Sequence, residues 1–315
     1  KRPMERIAKP LRTMGAKIET TGEKGTPPVR ITGKQKLKGI HYDMPVASAQ
    51  VKSGVLLAGL WAEGETSVTE PAPTRDHTER MLRGFGYDVK VEGNKVTIKG
   101  GGKLTATKID VPADISSAAF FMVAASIAPG SDITLSHVGI NPTRIGVINI
   151  LKQMGADLTL INVREIGGEP VADIRVKYAK LKGIEIPEDQ VPLAIDEFPS
   201  LFIAAACAEG TTILRGAEEL RVKESDRIQV MADGLKVLGV DAQPTPDGIV
   251  IQGGQMGGGE IESHGDHRIA MSFAIASLRA NAPIKIHNCA NVATSFPNFV
   301  ELAKHAGLNI SVSEE

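Results

Sequence analysis

The hydrophobic and polar positions along the chain predict two alternating kinds of helix, each followed by strands. The first kind is rich in small apolar residues, begins after a polar anchor and ends at a turn, in four copies at 47–64, 114–130, 196–210 and 266–281. The second kind is more polar and ends in Leu-x-x-x-Gly, at Gly15, Gly86, Gly155 and Gly239, with a looser copy at Gly307. A glycine suits the left-handed position after a helix, where a Cβ is unfavourable, so these glycines predict helix ends.

Strands are predicted after both kinds of helix. The segments TSVTE (66–70), DITLSHV (132–138), TTILRG (211–216) and IKIHN (284–288) follow helices of the first kind. Alternation of apolar and polar residues, as at Val89, Val91, Val96 and Ile98, follows the second kind. The order strand, helix, strand, helix, hairpin therefore recurs about every 70–80 residues, too long a period for a solenoid repeat.

The repeat also predicts the domain organisation. A length of 315 residues suits two domains. One repeat ends and the next begins near residues 108–115, which predicts domains at 1–110 and 111–315. Residues 1–20 have the order of the end of a repeat, so we expect the chain to be the larger, C-terminal part of a longer polypeptide.

Composition and charge narrow the classes of function. The net charge is −1, with acidic and basic residues interspersed, which argues against a nucleic-acid partner. No apolar run approaches the roughly 18 residues that span a membrane, so we expect no membrane partner. The two cysteines, Cys207 and Cys289, lack metal-ligand spacing, which argues against a zinc site or a disulfide framework.

Arginines recur at predicted helix starts, where the helix dipole disfavours a cation by about 0.3–1 kcal/mol. They are Arg2, Arg75, Arg144, the pair Arg221 and Arg227, and Arg268. A single such arginine is usually solvated or paired with a carboxylate. The recurrence favours anion binding, because a cation beside free backbone N–H groups makes a strong anion site.

Three polar clusters carry the candidate chemistry. Lys223 and Arg227 are four residues apart, so on a helical turn they share a face, with Glu224 between them. Asp196 and Asp266 each precede an apolar helix, where a capping role alone explains an aspartate. Ser48 and Gln50 provide a hydroxyl and an amide suited to a polyhydroxylated ring.

Together these motifs resemble one family. LRVKESDR at 220–227, IDEFPSL at 195–201, GDHRIAMSF at 265–273, ASAQVKS at 47–53 and ATSFP at 293–297 closely resemble the 5-enolpyruvylshikimate-3-phosphate synthases, in order and spacing. TRDHTE at 74–79 is more similar to the glyphosate-tolerant bacterial type. The resemblance implies an α/β fold, an inside-out barrel of two domains built from βαβαββ units that close over the substrates.

The resemblance also implies roles for single residues. It implies Asp196 as the base that contacts the shikimate hydroxyls and Glu224 as the proton-transferring acid. It implies that shikimate 3-phosphate is held by Ser48, Ala49, Gln50 and Arg75, with Gln50 also reaching phosphoenolpyruvate. Lys223 is implied to bind substrate, and Arg2, Arg227 and Arg268 surround phosphoenolpyruvate with His267 beside them.

The implied reaction joins phosphoenolpyruvate to the 5-hydroxyl of shikimate 3-phosphate and releases phosphate, without a metal or cofactor. We expect a cytoplasmic monomer. Two departures stand out: Thr294 occupies a position where sensitive enzymes carry lysine, and the family's opening segment, with its Gly-Ser-Lys-Ser-like loop, is absent.

Two alternatives remain open. The UDP-N-acetylglucosamine enolpyruvyl transferases share the repeat architecture but use a catalytic cysteine in a Gly-rich loop, a context that neither Cys207 nor Cys289 has. The chain could instead be a non-catalytic fragment whose remaining groups bind anions or only support folding.

Overall fold

The computed structural model describes residues 3–313 and divides into two compact units, each with its own hydrophobic core. Unit 1 comprises Lys1–Asp110 with Glu165–Glu169, and unit 2 comprises Val111–Arg164 with Pro170–Glu315.

Among the residues that the structure describes, unit 1 contains three α-helices and six strands. The helices are α1 (Glu5–Thr13), α2 (Ala49–Gly59) and α3 (His77–Gly84). The strands are β1 (Lys17–Thr20), β2 (Val29–Thr32), β3 (His41–Asp43), β4 (Glu65–Thr69), β5 (Lys90–Glu92) and β6 (Lys95–Lys99). β1 and β2 form an antiparallel pair, and the second sheet has the order β3-β4-β6-β5.

Unit 2 contains the remaining elements. Its helices are α4 (Ile115–Ile127), α5 (Gly146–Gln153), α6 (Val191–Ala194), α7 (Phe198–Ala206), α8 (Arg227–Val237), α9 (His267–Ala276), α10 (Val292–Ser295) and α11 (Phe299–His305). Its strands are β7 (Asp132–Gly139), β8 (Asp157–Ile166), β9 (Glu169–Lys177), β10 (Thr211–Leu214), β11 (Asp241–Thr245), β12 (Gly248–Gln252), β13 (Gly259–Glu262) and β14 (Ile284–His287). Its sheets have the orders β7-β9-β8, β10-β12-β11 and β13-β14.

The sheets repeat one connection, as the sequence pattern predicted. An extended segment pairs in parallel with the strand that follows the next apolar helix: β3 with β4, Ala113 with β7, Glu185 with β10, and β13 with β14. In the first three of these sheets a polar helix and an antiparallel hairpin then complete the order βαβαββ.

Helices of the first kind form the inside of unit 2. α4, α7 and α9 pack against one another, and every residue of α7 is buried. Each buried Phe, Leu or Ile side chain contributes about 1.5–3 kcal/mol relative to an exposed one. The strands lie outside these helices, as the alternating burial of β7 shows.

The glycines that close the second kind of helix have the predicted conformation. Their φ angles are positive: 101° at Gly15, 76° at Gly86, 91° at Gly155, 81° at Gly239 and 98° at Gly307. At Gly234, inside α8, the requirement is space instead. A Cβ added there would lie 2.3 Å from Cζ of Phe273 on α9, so α8 and α9 approach closely.

Within residues 3–313, no helix is long and apolar enough to cross a membrane.

Candidate active site

The candidate site of unit 2 lies at the N-terminal ends of α7, α8 and α9. Arg268, in the first turn of α9, donates from Nη1 to the backbone oxygen of Asp196 at 3.0 Å, just before α7. Arg227, the first residue of α8, donates from Nε to Oδ2 of Asp266 at 2.9 Å, at the start of α9. Unpaired backbone N–H groups and dipoles at such ends favour anions.

Arg227 and Asp266 form the buried foundation of this site. Arg227 is 1% exposed and Asp266 is fully buried. Asp266 caps α9 by accepting from the backbone N–H of Arg268 at 3.0 Å, and it also accepts from the Ser225 hydroxyl at 3.0 Å. Burial alone raises the pKa of Asp266, but the hydrogen bond and charge of Arg227, with these two further donors, hold that pKa below its ordinary 3.8.

Asp196 is where the charged groups of the candidate site meet. Its Oδ1 lies 3.6 Å from Nζ of Lys223 and 3.8 Å from Nη1 of Arg227. The alternative that Asp196 only caps the apolar helix is wrong, because the residue before α7 is Glu197 and no side chain caps that end. The Asp196 carboxylate is therefore turned toward cations instead of the helix.

Lys223 and Glu224 precede α8 instead of belonging to it. A short 3-10 helix ends at Val222, and Lys223 has an extended backbone, with φ −79° and ψ −150°. The predicted helical turn shared by Lys223 and Arg227 is therefore wrong, although both side chains reach Asp196. Lys223 also donates to Glu219, and Nη2 of Arg227 donates to Oε2 of Glu224 at 2.7 Å.

Two other members of the motif have mainly structural contacts. Asp226 caps α8, with Oδ1 accepting from the backbone N–H of Gln229 at 3.0 Å. Arg221 donates to the backbone oxygens of Pro246 and Thr245 and pairs with Asp226 at 2.7 Å.

His267 is half-buried beside these cations. Burial and the neighbouring Arg268, followed by Arg227, lower the pKa of His267 below its ordinary 6.5, and the carboxylates of Asp266 and Glu224 oppose this. The ring is therefore mostly neutral at pH 7 and can donate or accept a proton through either nitrogen, depending on the tautomer.

Sequence reasoning missed Glu197 as a member of the site. Its side chain is buried, Oε1 accepts from the Ser116 hydroxyl, and Nη2 of Arg144 lies 3.5 Å from Oε1. Burial raises the pKa of Glu197, while Arg144, Ser116 and Arg268 oppose the rise. Two signals pointed to this cluster: Glu197 adjoins Asp196, and Arg144 is one of the arginines at helix starts.

The predicted residues of unit 1 lie around the starts of α2 and α3. Ser48 caps α2, with Oγ 3.4 Å from the backbone nitrogen of Val51, and Ala49 is the first residue of that helix. Gln50 accepts from Nη2 of Arg6 at 2.8 Å. Arg75 is half-buried two residues before α3. Arg2 lies outside the residues that the structure describes.

The chemistry available to unit 2 is anion binding combined with proton transfer. Nη1 of Arg227 is buried and makes no hydrogen bond to any residue within 3–313. A buried donor without a partner costs about 1–3 kcal/mol, a cost that an anionic ligand beside Asp196 would remove. Among the same residues, no group of three His, Cys, Asp or Glu side chains is placed to hold a metal ion.

Fold and site thus define an α/β protein with a group of cations and carboxylates at the ends of apolar helices. Residues 1–302 match the family model described as EPSP synthase (3-phosphoshikimate 1-carboxyvinyltransferase). The chain belongs to the EPSP synthase family, whose fold is the two-domain α/β fold of enolpyruvyl transferases.

Relatives and solved structures agree with the family. The chain is 71% identical to the 3-phosphoshikimate 1-carboxyvinyltransferase of Methylococcus capsulatus, over 99% of the chain and 71% of that relative. It is 67% identical to the enzyme of the same name from Nitrosococcus oceani, over 98% of the chain and 70% of the relative. A solved EPSP synthase from Acinetobacter baumannii is 72% identical with a TM-score of 0.94, covering 99% of the chain and 72% of that structure.

Proposed function

We propose that the chain transfers the enolpyruvyl group of phosphoenolpyruvate to the 5-hydroxyl of shikimate 3-phosphate and releases phosphate, in the shikimate pathway to chorismate and aromatic amino acids. Family membership supports the reaction. The observation that carries the assignment to residues is the approach of Lys223 and Arg227 to one oxygen of Asp196, with Arg227 also holding Glu224.

In this proposal the carboxylates move protons. Asp196 accepts the proton of the attacking hydroxyl, which bonds to the central enol carbon of phosphoenolpyruvate. Glu224 protonates the methylene carbon and then takes a proton back from the resulting methyl group as the C–O bond to phosphate breaks. Glu224 is 37% exposed and hydrogen-bonded to Arg227, so its carboxyl can exchange protons while its position is held.

The cations bind and orient the anionic groups. Lys223, Arg227 and Arg268, with Arg2, neutralise the phosphate and carboxylate of phosphoenolpyruvate, and His267 lies beside them. Ser48, Ala49, Gln50 and Arg75 hold shikimate 3-phosphate. Oriented cations around the reacting groups stabilise developing charge, commonly the largest catalytic contribution of an enzyme.

Several finer assignments belong to the same proposal. The TRDHTE segment at 74–79 supports the glyphosate-tolerant type. The chain spans 71% of the length of the Methylococcus relative and 70% of the Nitrosococcus relative. We further propose two folding domains at 1–110 and 111–315, and a cytoplasmic monomer that binds its two small substrates without nucleic acid or membrane.

The test is product formation by the purified chain with both substrates. Phosphorus NMR should show the loss of phosphoenolpyruvate and the appearance of inorganic phosphate only when shikimate 3-phosphate is also present. Calorimetric binding of both substrates without turnover would identify the chain as a non-catalytic binding fragment instead. No binding of either substrate would contradict the proposal, and an intact mass determines which polypeptide was measured.

A further inference from the structure

An ion cluster lies inside unit 1. Lys52, in α2, is 1% exposed, and its Nζ lies 3.2 Å from Oε2 of Glu70 and 2.7 Å from Oε1 of Glu79. Glu70 and Glu79 are also buried. Glu70 directly follows β4, and Glu79 lies in the first turn of α3, so one ammonium group joins three elements.

The cluster encloses the segment that carries Arg75. Glu70 lies before the loop 71–76 and Glu79 lies after it, and both carboxylates form ion pairs with Lys52. Within the loop, the hydroxyl of Thr74 donates to Oε1 of Glu70. The residue next to Arg75 is therefore tied to the same carboxylate that pairs with Lys52.

Lys52 also lies in the first turns of α2. Its backbone N–H makes the ordinary helical hydrogen bond to the backbone oxygen of Ser48 at 3.0 Å, so the side chain that pairs with Glu70 and Glu79 projects from the turn that follows Ser48, Ala49 and Gln50. A second link joins these helices, because the hydroxyls of Ser53 and Thr78 lie 2.7 Å apart.

Packing alone does not account for this cluster. Two buried carboxylates share one ammonium, and Oε2 of Glu79 is buried without a hydrogen bond from any residue within 3–313. Replacing a buried ion cluster by apolar side chains of similar volume is often neutral or stabilising. Hydrogen-bonded ion pairs are directional, whereas apolar contacts are not. The cluster can therefore fix the relative positions of α2, the end of β4 and α3 more closely than apolar side chains would.

We infer that Lys52, Glu70 and Glu79, together with Thr74, are positioning residues that hold Arg75 and the start of α2 in register for shikimate 3-phosphate. This inference rests on the proposed function. None of the four needs to touch the substrate. A displacement of about 1 Å in a binding group can cost up to 10²-fold, so removing the cluster should weaken this substrate selectively.

A matched pair at Thr74 tests the inference without removing any of the buried charges. Thr74→Val keeps the shape but removes the hydroxyl that donates to Glu70, and Thr74→Ser keeps the hydroxyl. We expect Thr74→Val to raise the Kd for shikimate 3-phosphate about tenfold, measured by calorimetry. Thr74→Ser should remain within about twofold of the parent chain.

A triple variant, Lys52→Met/Glu70→Met/Glu79→Met, removes the charges together and leaves none uncompensated. Its thermal unfolding should remain cooperative, with the Kd for shikimate 3-phosphate raised about tenfold or more and the Kd for phosphoenolpyruvate little changed. If this variant does not fold, the Thr74 pair decides alone.

The outcomes separate this inference from the proposed function. If the parent chain binds shikimate 3-phosphate and Thr74→Val binds it equally well, the positioning role is wrong while the function stands. Equal weakening of both substrates would indicate a general structural role and would also overturn the inference. Failure of the parent chain to bind shikimate 3-phosphate would contradict both.

Discussion

Nε of Arg227 lies 2.9 Å from Oδ2 of Asp266, joining the first residue of α8 to the residue that caps α9. Both side chains are buried, so a buried ion pair links the N-terminal ends of the two helices. The remaining guanidinium nitrogens point to Glu224 and Asp196, the two carboxylates of the proposed chemistry. Asp266 thus acts on the site through Arg227.

Replacing Asp266 by Asn should destabilise unit 2. The buried Arg227 would lose its compensating charge, and removing one partner of a buried pair costs about 3–5 kcal/mol. Because the pKa of Asp266 is lowered in the folded chain, its carboxylate stabilises the fold above the ordinary pKa of 3.8. That contribution is lost as the pH falls through the folded pKa.

Urea unfolding at pH 7 and pH 5 should therefore show the full difference between parent and Asp266→Asn at both values. The double variant Arg227→Met/Asp266→Leu is the control, since it removes both members of the buried pair together and should recover most of the lost stability. The other two carboxylates near Arg227, Glu224 and Asp196, are partly exposed to solvent. Parent-like unfolding of Asp266→Asn would show that the pair contributes no net stability.

Replacing Glu224 by Gln should lower kcat by about 10²–10⁴-fold, because general acid–base catalysis contributes that much. Glutamine keeps an oxygen that can accept the hydrogen bond from Arg227, so both substrates should bind nearly as before. Steady-state kinetics and calorimetry check this, and Arg268→Ala is the contrast, with its main effect on the KM for phosphoenolpyruvate. An unchanged kcat in Glu224→Gln would exclude Glu224 as the acid.

His267 should titrate below pH 6.5 in the free chain, because burial and the charge of Arg268 lower its pKa. As the pH falls, His267 is protonated at a higher pH in the unfolded chain than in the folded chain. The free energy of unfolding should therefore fall as the pH drops from 6.5 through the folded pKa of His267. An NMR titration of the ring carbons measures the midpoint. Arg268→Gln should move it upward, and a midpoint at or above 6.5 in the parent would refute the prediction.

Ionisation of Glu197 should change the free energy of unfolding with pH in the opposite direction to His267. Burial raises its pKa above 4.5, so the folded chain holds its proton more tightly than the unfolded chain. The free energy of unfolding should then decrease as the pH rises from 4.5 through the folded pKa. Unfolding curves of Glu197→Gln should lack this decrease, whereas a change at the exposed Glu63 to Gln should keep it. The same slope in all three proteins would count against the assignment.

Cys207 should resist alkylation at neutral pH. Burial raises the pKa of its thiol to about 12, so at pH 7.5 only about one thiol in 10⁴–10⁵ is ionised. Peptide mass spectrometry after iodoacetamide should find Cys207 unmodified and activity retained in the Cys289→Ser background. Inactivation in that background, prevented by substrate, would favour the cysteine-dependent enolpyruvyl transferases.

Local features of the structure were accessible from the sequence. The positive φ angles of Gly15, Gly86 and Gly155, and the cap at Asp266, depend on interactions within a few residues. The helical turn predicted for Lys223 and the capping alternative for Asp196 were wrong, because both residues lie in irregular segments just before the helices.

Long-range ion clusters were not predictable in this way. Lys52 and Glu79 are 27 positions apart, and Ser116 and Glu197 are 81 apart, so only the tertiary fold brings each pair together. A lysine within a mostly apolar helix gives no indication of its partners. The family resemblance indicated candidate substrate-binding residues, including the buried Arg227, but it assigned no role to Lys52, Glu70 or Glu79.

The close approach of α8 and α9 at Gly234 and Phe273 constrains the distance between Arg227 and Asp266 at the N-terminal ends of the same helices. Gly234 follows Arg227 by seven residues and Phe273 follows Asp266 by seven, so this contact lies two turns, about 10 Å, beneath the ions. A methyl group at position 234 would push α8 and α9 apart and increase the distance between Arg227 and Asp266. The distance between Arg227 and Asp266 therefore depends on the absence of a side chain at Gly234.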